Sequence, residues 1–161
     1  MLPQPTLYRN YVDGRFAQTG KTFPNISPVD GKELGQVCEA DAALVDRAVR
    51  AARAAVEGPW GKTSAAERAS VLRAIADGIE RRFDDFVAAE VADTGRPAHQ
   101  ARALDIRRGV QNFRTFAELV GQAGSEYFDM RTADGDDVFS YVVRKPHGVV
   151  AIISPWTCRC C

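Results

Sequence analysis

A run of apolar residues near the carboxyl end of the sequence limits the folds that this chain can adopt. Residues 148–153 read Gly-Val-Val-Ala-Ile-Ile, and Ser-Pro-Trp follows them. A β-strand that is apolar on both sides is typical of a parallel sheet, because helices cover both faces of such a sheet. It needs neighbouring strands and crossover helices, and no further segment follows it here. The run predicts an α/β protein in which it begins a doubly wound sheet.

Three segments with helical periodicity precede that run, at about residues 41–56, 64–93 and 98–121. Asp41 is expected to cap the first helix, and Ser64 opens the second with a capping box. The apolar stripes expected to face a core are Leu44, Val45, Ala48, Ala52, Ala55 and Val56 in the first helix, Leu72, Ile75, Ile79, Phe83, Phe86 and Val87 in the second, and Ile106, Val110, Phe113, Ala117 and Val120 in the third.

Short strands and turns flank these helices. Asp13-Gly14 and the segment 27–31 have the residues that chain reversals require, and Asp134-Gly135 predicts a hairpin. No repeat or linker divides the sequence, so it predicts one unit and not two domains. The strands expected besides 148–153 are 7–12, 22–26, 34–39, 127–130 and 138–144.

The composition excludes several classes of function. The 161 residues carry 21 basic and 21 acidic side chains, and a zero net charge argues against binding to nucleic acid or to a membrane surface. No apolar run is long enough to span a bilayer, and the first residues do not have the pattern of a secretory signal. We therefore expect a cytoplasmic protein.

Several motifs together indicate a family. Residues 145–156 read KPHGVVAIISPW and resemble the start of the nucleotide-binding part of NAD-dependent aldehyde dehydrogenases. Motifs similar to those of the same family precede it in the expected order: Tyr11-Val-Asp-Gly14, Ile26-Ser-Pro-Val-Asp-Gly31, Gly58-Pro-Trp60 and Asp93-Thr-Gly-Arg-Pro97.

This resemblance extends over nearly the whole chain and implies the amino-terminal part of the aldehyde dehydrogenase fold. Residues 1–156 would supply small strands, three helices and the first strand of a Rossmann-like sheet. Residues 127–145 would form an oligomerisation arm, since members of the family assemble as homo-oligomers.

Residues 105–113 look most like the group of this family that oxidises muconic semialdehydes from aromatic ring cleavage. These substrates carry a carboxylate far from the aldehyde, and the planar guanidinium of arginine suits a carboxylate. The resemblance makes Arg108 the candidate for that contact. The alternative is that Arg108 is a solvated helix residue, paired with Asp105 one turn away.

The resemblance also implies sites for NAD and for a cation. Ile26 and Asp93 match positions that hold a monovalent cation in some members, although an Asp after a helix is more often a cap or a surface charge. Four residues match the strand end and turn that line the nicotinamide-ribose part of the NAD site, where their alternative role is purely structural: Ile153, Ser154, Pro155 and Trp156.

The last residues depart from the family. After Pro-Trp the family has an Asn whose amide helps to hold the oxyanion, and Thr157 stands there in this sequence. Loss of one A from TGG AAC CTG CCG CTG CTG CTG A yields Trp-Thr-Cys-Arg-Cys-Cys and a stop, which is the ending of this chain. Residues 157–161 are therefore expected to be a frameshifted tail. The alternative is a thiol or metal-binding tail formed by Cys158, Cys160 and Cys161.

The family oxidises a small-molecule aldehyde to a carboxylate. A cysteine thiolate adds to the carbonyl, hydride passes to NAD, and water activated by a glutamate completes the reaction. Both catalytic residues lie beyond Trp156 in the family, so we expect this chain to be inactive and prone to aggregate. A non-catalytic fragment that interacts with an oligomer is the alternative.

Overall fold

The computed structural model describes residues 6–122 and 124–154. Five short strands form its first layer. The strand β5 pairs in parallel with β1 and antiparallel with β4, while β2 and β3 form a separate hairpin. The bounds are Thr6–Tyr8 (β1), Asn10–Val12 (β2), Arg15–Ala17 (β3), Thr22–Ile26 (β4) and Glu33–Cys38 (β5).

The turn between β2 and β3 is the Asp13-Gly14 turn that the sequence predicts. Asp13 has φ 53° and Gly14 has φ 72°, and two positive φ angles match the twist of a tight hairpin. The segment 7–12, for which the sequence predicts strand structure, divides at Arg9, and its two halves join different sheets. Its alternating pattern does not reveal which neighbour each half pairs with.

Helices form the second layer, and their starts agree with the predicted caps. The Asp41 carboxylate accepts a hydrogen bond from the backbone N–H of Leu44 at 2.7 Å. Ser64 and Glu67 form both bonds of the capping box. The helices are Ala42–Glu57 (α1), Ala65–Arg81 (α2), Phe83–Thr94 (α3), Ala98–Gln100 (α4) and Arg107–Leu119 (α5), with a π-helical segment at Ala101–Ile106 and 3₁₀ turns at Trp60–Lys62 and Val120–Gln122.

Two of the three predicted helices are divided. The second breaks at Arg82, which has φ −113° and ψ 27°, so that α2 and α3 follow separate axes. The third contains the π-helical segment. Both interruptions serve packing, since α2 packs against α5 while α3 packs against the π-helical segment. Apolar periodicity survives one non-helical residue, and the sequence pattern therefore predicts a continuous helix.

The core lies among the last helices. Ile106 is fully buried and packs with Val87 and Ala101. Val110 and Ala117 are also buried, while Phe113 and Val120 are half-buried, so the apolar stripe predicted for the third helix faces the core only in part. In α1 only Leu44 of the predicted stripe is buried, because little of the described chain packs on that face.

The last described part of the chain makes few contacts. A hairpin joins Tyr127–Arg131 (β6) to Asp137–Tyr141 (β7), which confirms the predicted hairpin with a shorter second strand. The predicted strand at 148–153 is wrong for this structure, because residues 142–154 have no paired backbone strand. A strand needs a neighbour for its N–H and C=O groups, and no described residue supplies one. No described helix is long and apolar enough to cross a membrane.

Candidate functional site

Arg108 lies in the first turn of α5 and its side chain is exposed. Among the described residues it has no hydrogen bond or ion pair. The alternative pairing of Arg108 with Asp105 is wrong, because the Asp105 carboxylate bonds instead to Arg96, with 3.0 Å between Nη1 and Oδ1. The guanidinium of Arg108 is therefore available to a ligand.

The surroundings of Arg108 on the outer face of α5 are polar. Asn112 lies one turn further along the helix and is half-buried, while Thr115 is exposed and lies within 3.4 Å of the Gln111 amide. Helical periodicity places Arg108, Asn112 and Thr115 together on the side of α5 opposite the buried Val110 and Ala117. Such a surface can donate several hydrogen bonds to a carboxylate without burying an unpaired charge.

The pair formed by Arg96 and Asp105 is a feature that the sequence does not reveal. The Asp105 side chain is 5% exposed and that of Arg96 is 33% exposed, so the pair is largely removed from water. Asp105 lies beside the fully buried Ile106 within the π-helical segment. A carboxylate beside a core position needs a partner, and that requirement is the only sequence signal for this contact.

The expected NAD contacts fall at the limit of the described chain. Ile153 and Ser154 are exposed and belong to the unpaired segment, with Ile153 97% exposed. Pro155, Trp156 and Thr157 lie outside the described residues, as do the tail cysteines. Within residues 6–154 the structure thus assembles no nucleotide site around Ile153 and Ser154.

Residues 149–151 of the unpaired segment lie near α1 and β2. Val149, Val150 and Ala151 line a groove of about 410 Å³ together with α1 and β2. The α1 side of the groove includes Val45 and Val49, which are 52% and 40% exposed. Apolar surface therefore remains open to water on both the segment and the helix.

The two residues expected at a cation site lie close together. Ile26 ends β4, and Asp93 lies near the end of α3. Asn25 joins the two elements by donating a hydrogen bond from Nδ2 to Asp93 Oδ1 at 2.8 Å. The pairing of β4 with β5 shifts register between Asn25 and Ile26, as at a β-bulge. In the described part of the chain, no three His, Cys, Asp or Glu side chains group as metal ligands.

Cys38 is the one cysteine in the described range, and its surroundings do not favour reactivity. It is 4% exposed at the end of β5, and the Asn10 amide donates a hydrogen bond to its backbone carbonyl at 3.2 Å. A buried thiol behaves as a small apolar side chain more than as a nucleophile.

Comparisons with known proteins agree with the motif pattern. The model of the family described as "Aldehyde dehydrogenase family" matches residues 16–159. A 2-hydroxymuconic semialdehyde dehydrogenase from Pseudomonas sp. (strain CF600) is 47% identical over 150 residues, which are 92% of this chain and 31% of that protein. A 2-aminomuconic 6-semialdehyde dehydrogenase from Pseudomonas sp. is 48% identical over 149 residues, with 92% and 30% covered.

The fold has counterparts among solved structures. The NAD⁺ complex of an aldehyde dehydrogenase from Bacillus cereus superposes with a TM-score of 0.74 at 33% identity. That match covers 76% of this chain and 26% of the Bacillus chain. The chain thus spans about a third of the length of the curated relatives that it matches.

Proposed function

The chain belongs to the aldehyde dehydrogenase family, and we propose that it is the amino-terminal part of an NAD-dependent enzyme that oxidises a muconic semialdehyde to a carboxylate. The observation that carries this proposal is the 47–48% identity to two muconic semialdehyde dehydrogenases over 92% of the chain. We also propose that the enzyme acts in the cytoplasm and binds neither nucleic acid nor membranes, which the zero net charge of these residues supports.

Arg108 would bind the carboxylate of this substrate that is remote from the aldehyde. Its guanidinium is exposed and makes no bond with another described side chain, so binding a carboxylate breaks no internal contact. Arginine forms two parallel hydrogen bonds to a carboxylate, which fixes the direction of the substrate as well as its affinity.

NAD would bind where the 148–153 segment ends, with contacts from Ile153, Ser154, Pro155 and Trp156. When bound, it accepts hydride from the substrate. The exposure of Ile153 and Ser154 fits this role only in part, since the described residues contribute backbone groups and no enclosing surface. The wider pocket requires neighbouring strands, as ligands of doubly wound sheets lie at the carboxyl ends of several strands.

We further propose that residues 1–161 alone do not catalyse the reaction. Cys38 is buried in a strand, and the oxyanion position holds Thr157 in place of the family's Asn. By the resemblance to the family, the thiolate and glutamate positions would lie beyond Trp156.

A fusion protein tests these proposals. Residues 1–154 of this chain replace the matching region of the Pseudomonas 2-hydroxymuconic semialdehyde dehydrogenase, and NADH formation is followed with 2-hydroxymuconic semialdehyde. We expect activity from the fusion and none from the 161-residue chain. Oxidation by the chain alone would contradict its proposed inactivity, while a folded but inactive fusion would contradict the proposed activity.

The hairpin supports a second candidate function, in which the chain associates with an oligomeric dehydrogenase without catalysing. Both faces of β6 and β7 carry exposed large apolar side chains: Phe128 and Met130 on one face, and Tyr127, Phe139 and Tyr141 on the other. Residues 127–145 would then act as the oligomerisation arm. Size-exclusion chromatography with and without the full-length relative distinguishes a mixed complex from a homogeneous species or an aggregate.

We also propose a site for a monovalent cation. Ile26 and Asp93 would contribute to a monovalent cation site, supported by the register shift at Ile26 and by the Asn25 contact with Asp93. Thermal unfolding in KCl, NaCl and choline chloride at equal ionic strength tests it, and equal midpoints would exclude the site.

Residues 157–161 would be a frameshifted tail, supported by the codon reconstruction of all five residues. Resequencing the codon after Trp156 tests this, because the restored base should reopen a reading frame similar to the relatives. An unaltered base sequence without such a frame would leave the thiol tail as the better interpretation, which a zinc titration checks.

A further inference from the structure

The π-helical segment Ala101–Ile106 determines how the following helix is rotated about its axis. A π-helix bonds residue i to residue i+5, is rare, and is frequently found at functional sites. It uses more residues per turn than an α-helix, so it changes the direction of every side chain that follows. Arg108 is the second residue of α5, and its direction therefore depends on this segment.

Three buried side chains anchor the segment. Ala101 and Ile106 are fully buried, and they pack with Val87 of α3. Asp105 is buried and bonds to Arg96. Apolar packing restricts where the segment lies, whereas the ion pair joins two particular atoms and also restricts its rotation.

Arg96 is itself held in place. It follows Gly95, which ends α3 with φ 70°. Its backbone N–H donates to Thr94 Oγ1 at 3.3 Å, and the Thr94 hydroxyl donates to the Glu90 carbonyl at 2.7 Å. A Cβ on Gly95 would lie 3.1 Å from side-chain atoms of both Pro28 and Val29, so the turn is closely packed. The guanidinium thus reaches Asp105 from a fixed turn.

We propose that Arg96 and Asp105 are positioning residues for the remote carboxylate of the substrate. Their ion pair fixes how the π-helical segment is rotated about its own axis. This orientation directs Arg108 away from the core. Neither residue touches the substrate. The inference rests on the proposed role of Arg108 and adds the pair that determines where its guanidinium is presented.

Hydrogen exchange on the full chain tests the structural step. We expect peptides covering residues 101–108 to exchange faster in Asp105→Asn and in Arg96→Ala than in the unaltered chain. Asp84→Asn is the matched control, because it removes an ion pair to Arg102 of the same segment whose side chains are 80% and 54% exposed. Unchanged exchange in both pair variants would overturn the proposal.

Kinetics of the fusion protein test the positioning step, with 6-oxohexanoate and hexanal as substrates that differ in the remote carboxylate. We expect Arg108→Ala to lower kcat/KM for 6-oxohexanoate by roughly 10- to 100-fold and to leave hexanal almost unaffected. Asp105→Asn and Arg96→Ala should lower the ratio of kcat/KM for 6-oxohexanoate to kcat/KM for hexanal by about 10-fold, mainly through the KM for 6-oxohexanoate. Asp84→Asn should leave the ratio unchanged.

The outcomes separate the two proposals. If Arg108→Ala leaves the ratio unchanged, the carboxylate role of Arg108 fails. If Arg108→Ala lowers it and the pair variants do not, only the positioning role fails. If the pair variants lower kcat/KM equally for both substrates, the ion pair is merely structural and the inference is also overturned. Where Asp105→Asn yields no folded fusion, Arg96→Lys, which keeps the charge and alters the planar geometry, is measured against the same criteria.

Discussion

The helical core and the segment of residues 142–154 are both rich in apolar side chains, yet only the core is buried. Ile106 in the core is fully buried, while Ile152 and Ile153 are 86% and 97% exposed. The partners of Ile106 lie within α2, α3 and the π-helical segment, so the described chain itself supplies them. A parallel strand needs partners from other strands. Apolar sequence thus produces structure only where the chain contains the complementary surface.

Among the changes that test this comparison, Ile106→Ala should cause the largest loss of stability. Removing a fully buried side chain leaves a cavity, and we expect a loss of roughly 2–5 kcal/mol in the free energy of unfolding. Urea denaturation followed by circular dichroism measures it. A loss below about 1 kcal/mol would mean that the core is not well packed.

Ser64→Ala should have an intermediate effect, confined to the helical region. The Ser64 hydroxyl accepts a hydrogen bond from the Glu67 N–H at 3.2 Å, and loss of an N-cap side chain costs about 1 kcal/mol. The same denaturation experiment measures the change. Ser70→Ala is the control, because the Ser70 hydroxyl bonds only to a carbonyl within α2 and should contribute less.

Ile152→Asp should hardly change stability, because its side chain is already in water. We expect a difference within about 0.5 kcal/mol, together with a higher concentration at which the chain aggregates. Light scattering against concentration measures the second effect. A large loss of stability would show that the segment packs in solution, and the contrast with the core would then fail.

Acidification should produce the smallest change in stability, through a carboxylate in the turn after β4. The side chain of Lys32, and then that of Ser27, lowers the pKa of Asp30 from 3.8 to about 2. A carboxylate whose pKa is lowered by folding stabilises the fold above pH 3.8, and this contribution is lost as the pH falls towards 2. Asp30→Asn should flatten the stability of the chain over that range. A parallel curve for the variant would contradict the assignment.

Local features of the fold could be predicted from the sequence. Asp41, Ser64 and Gly95 mark helix ends because each acts on backbone groups only a few residues away. Asp13-Gly14 defines its hairpin for the same reason. The break at Arg82 and the π-helical segment could not be predicted, since they depend on how distant helices pack.

The same distinction between local and distant contacts applies to the candidate site. The resemblance to the family made Arg108 a candidate, and helical periodicity is enough to place it on the outer face of α5, because periodicity fixes which residues share a face. Only the tertiary structure decided the partner of Asp105. Arg96 reaches it from the turn between α3 and α4, and an ion pair depends on the distance between two atoms, which periodicity does not specify.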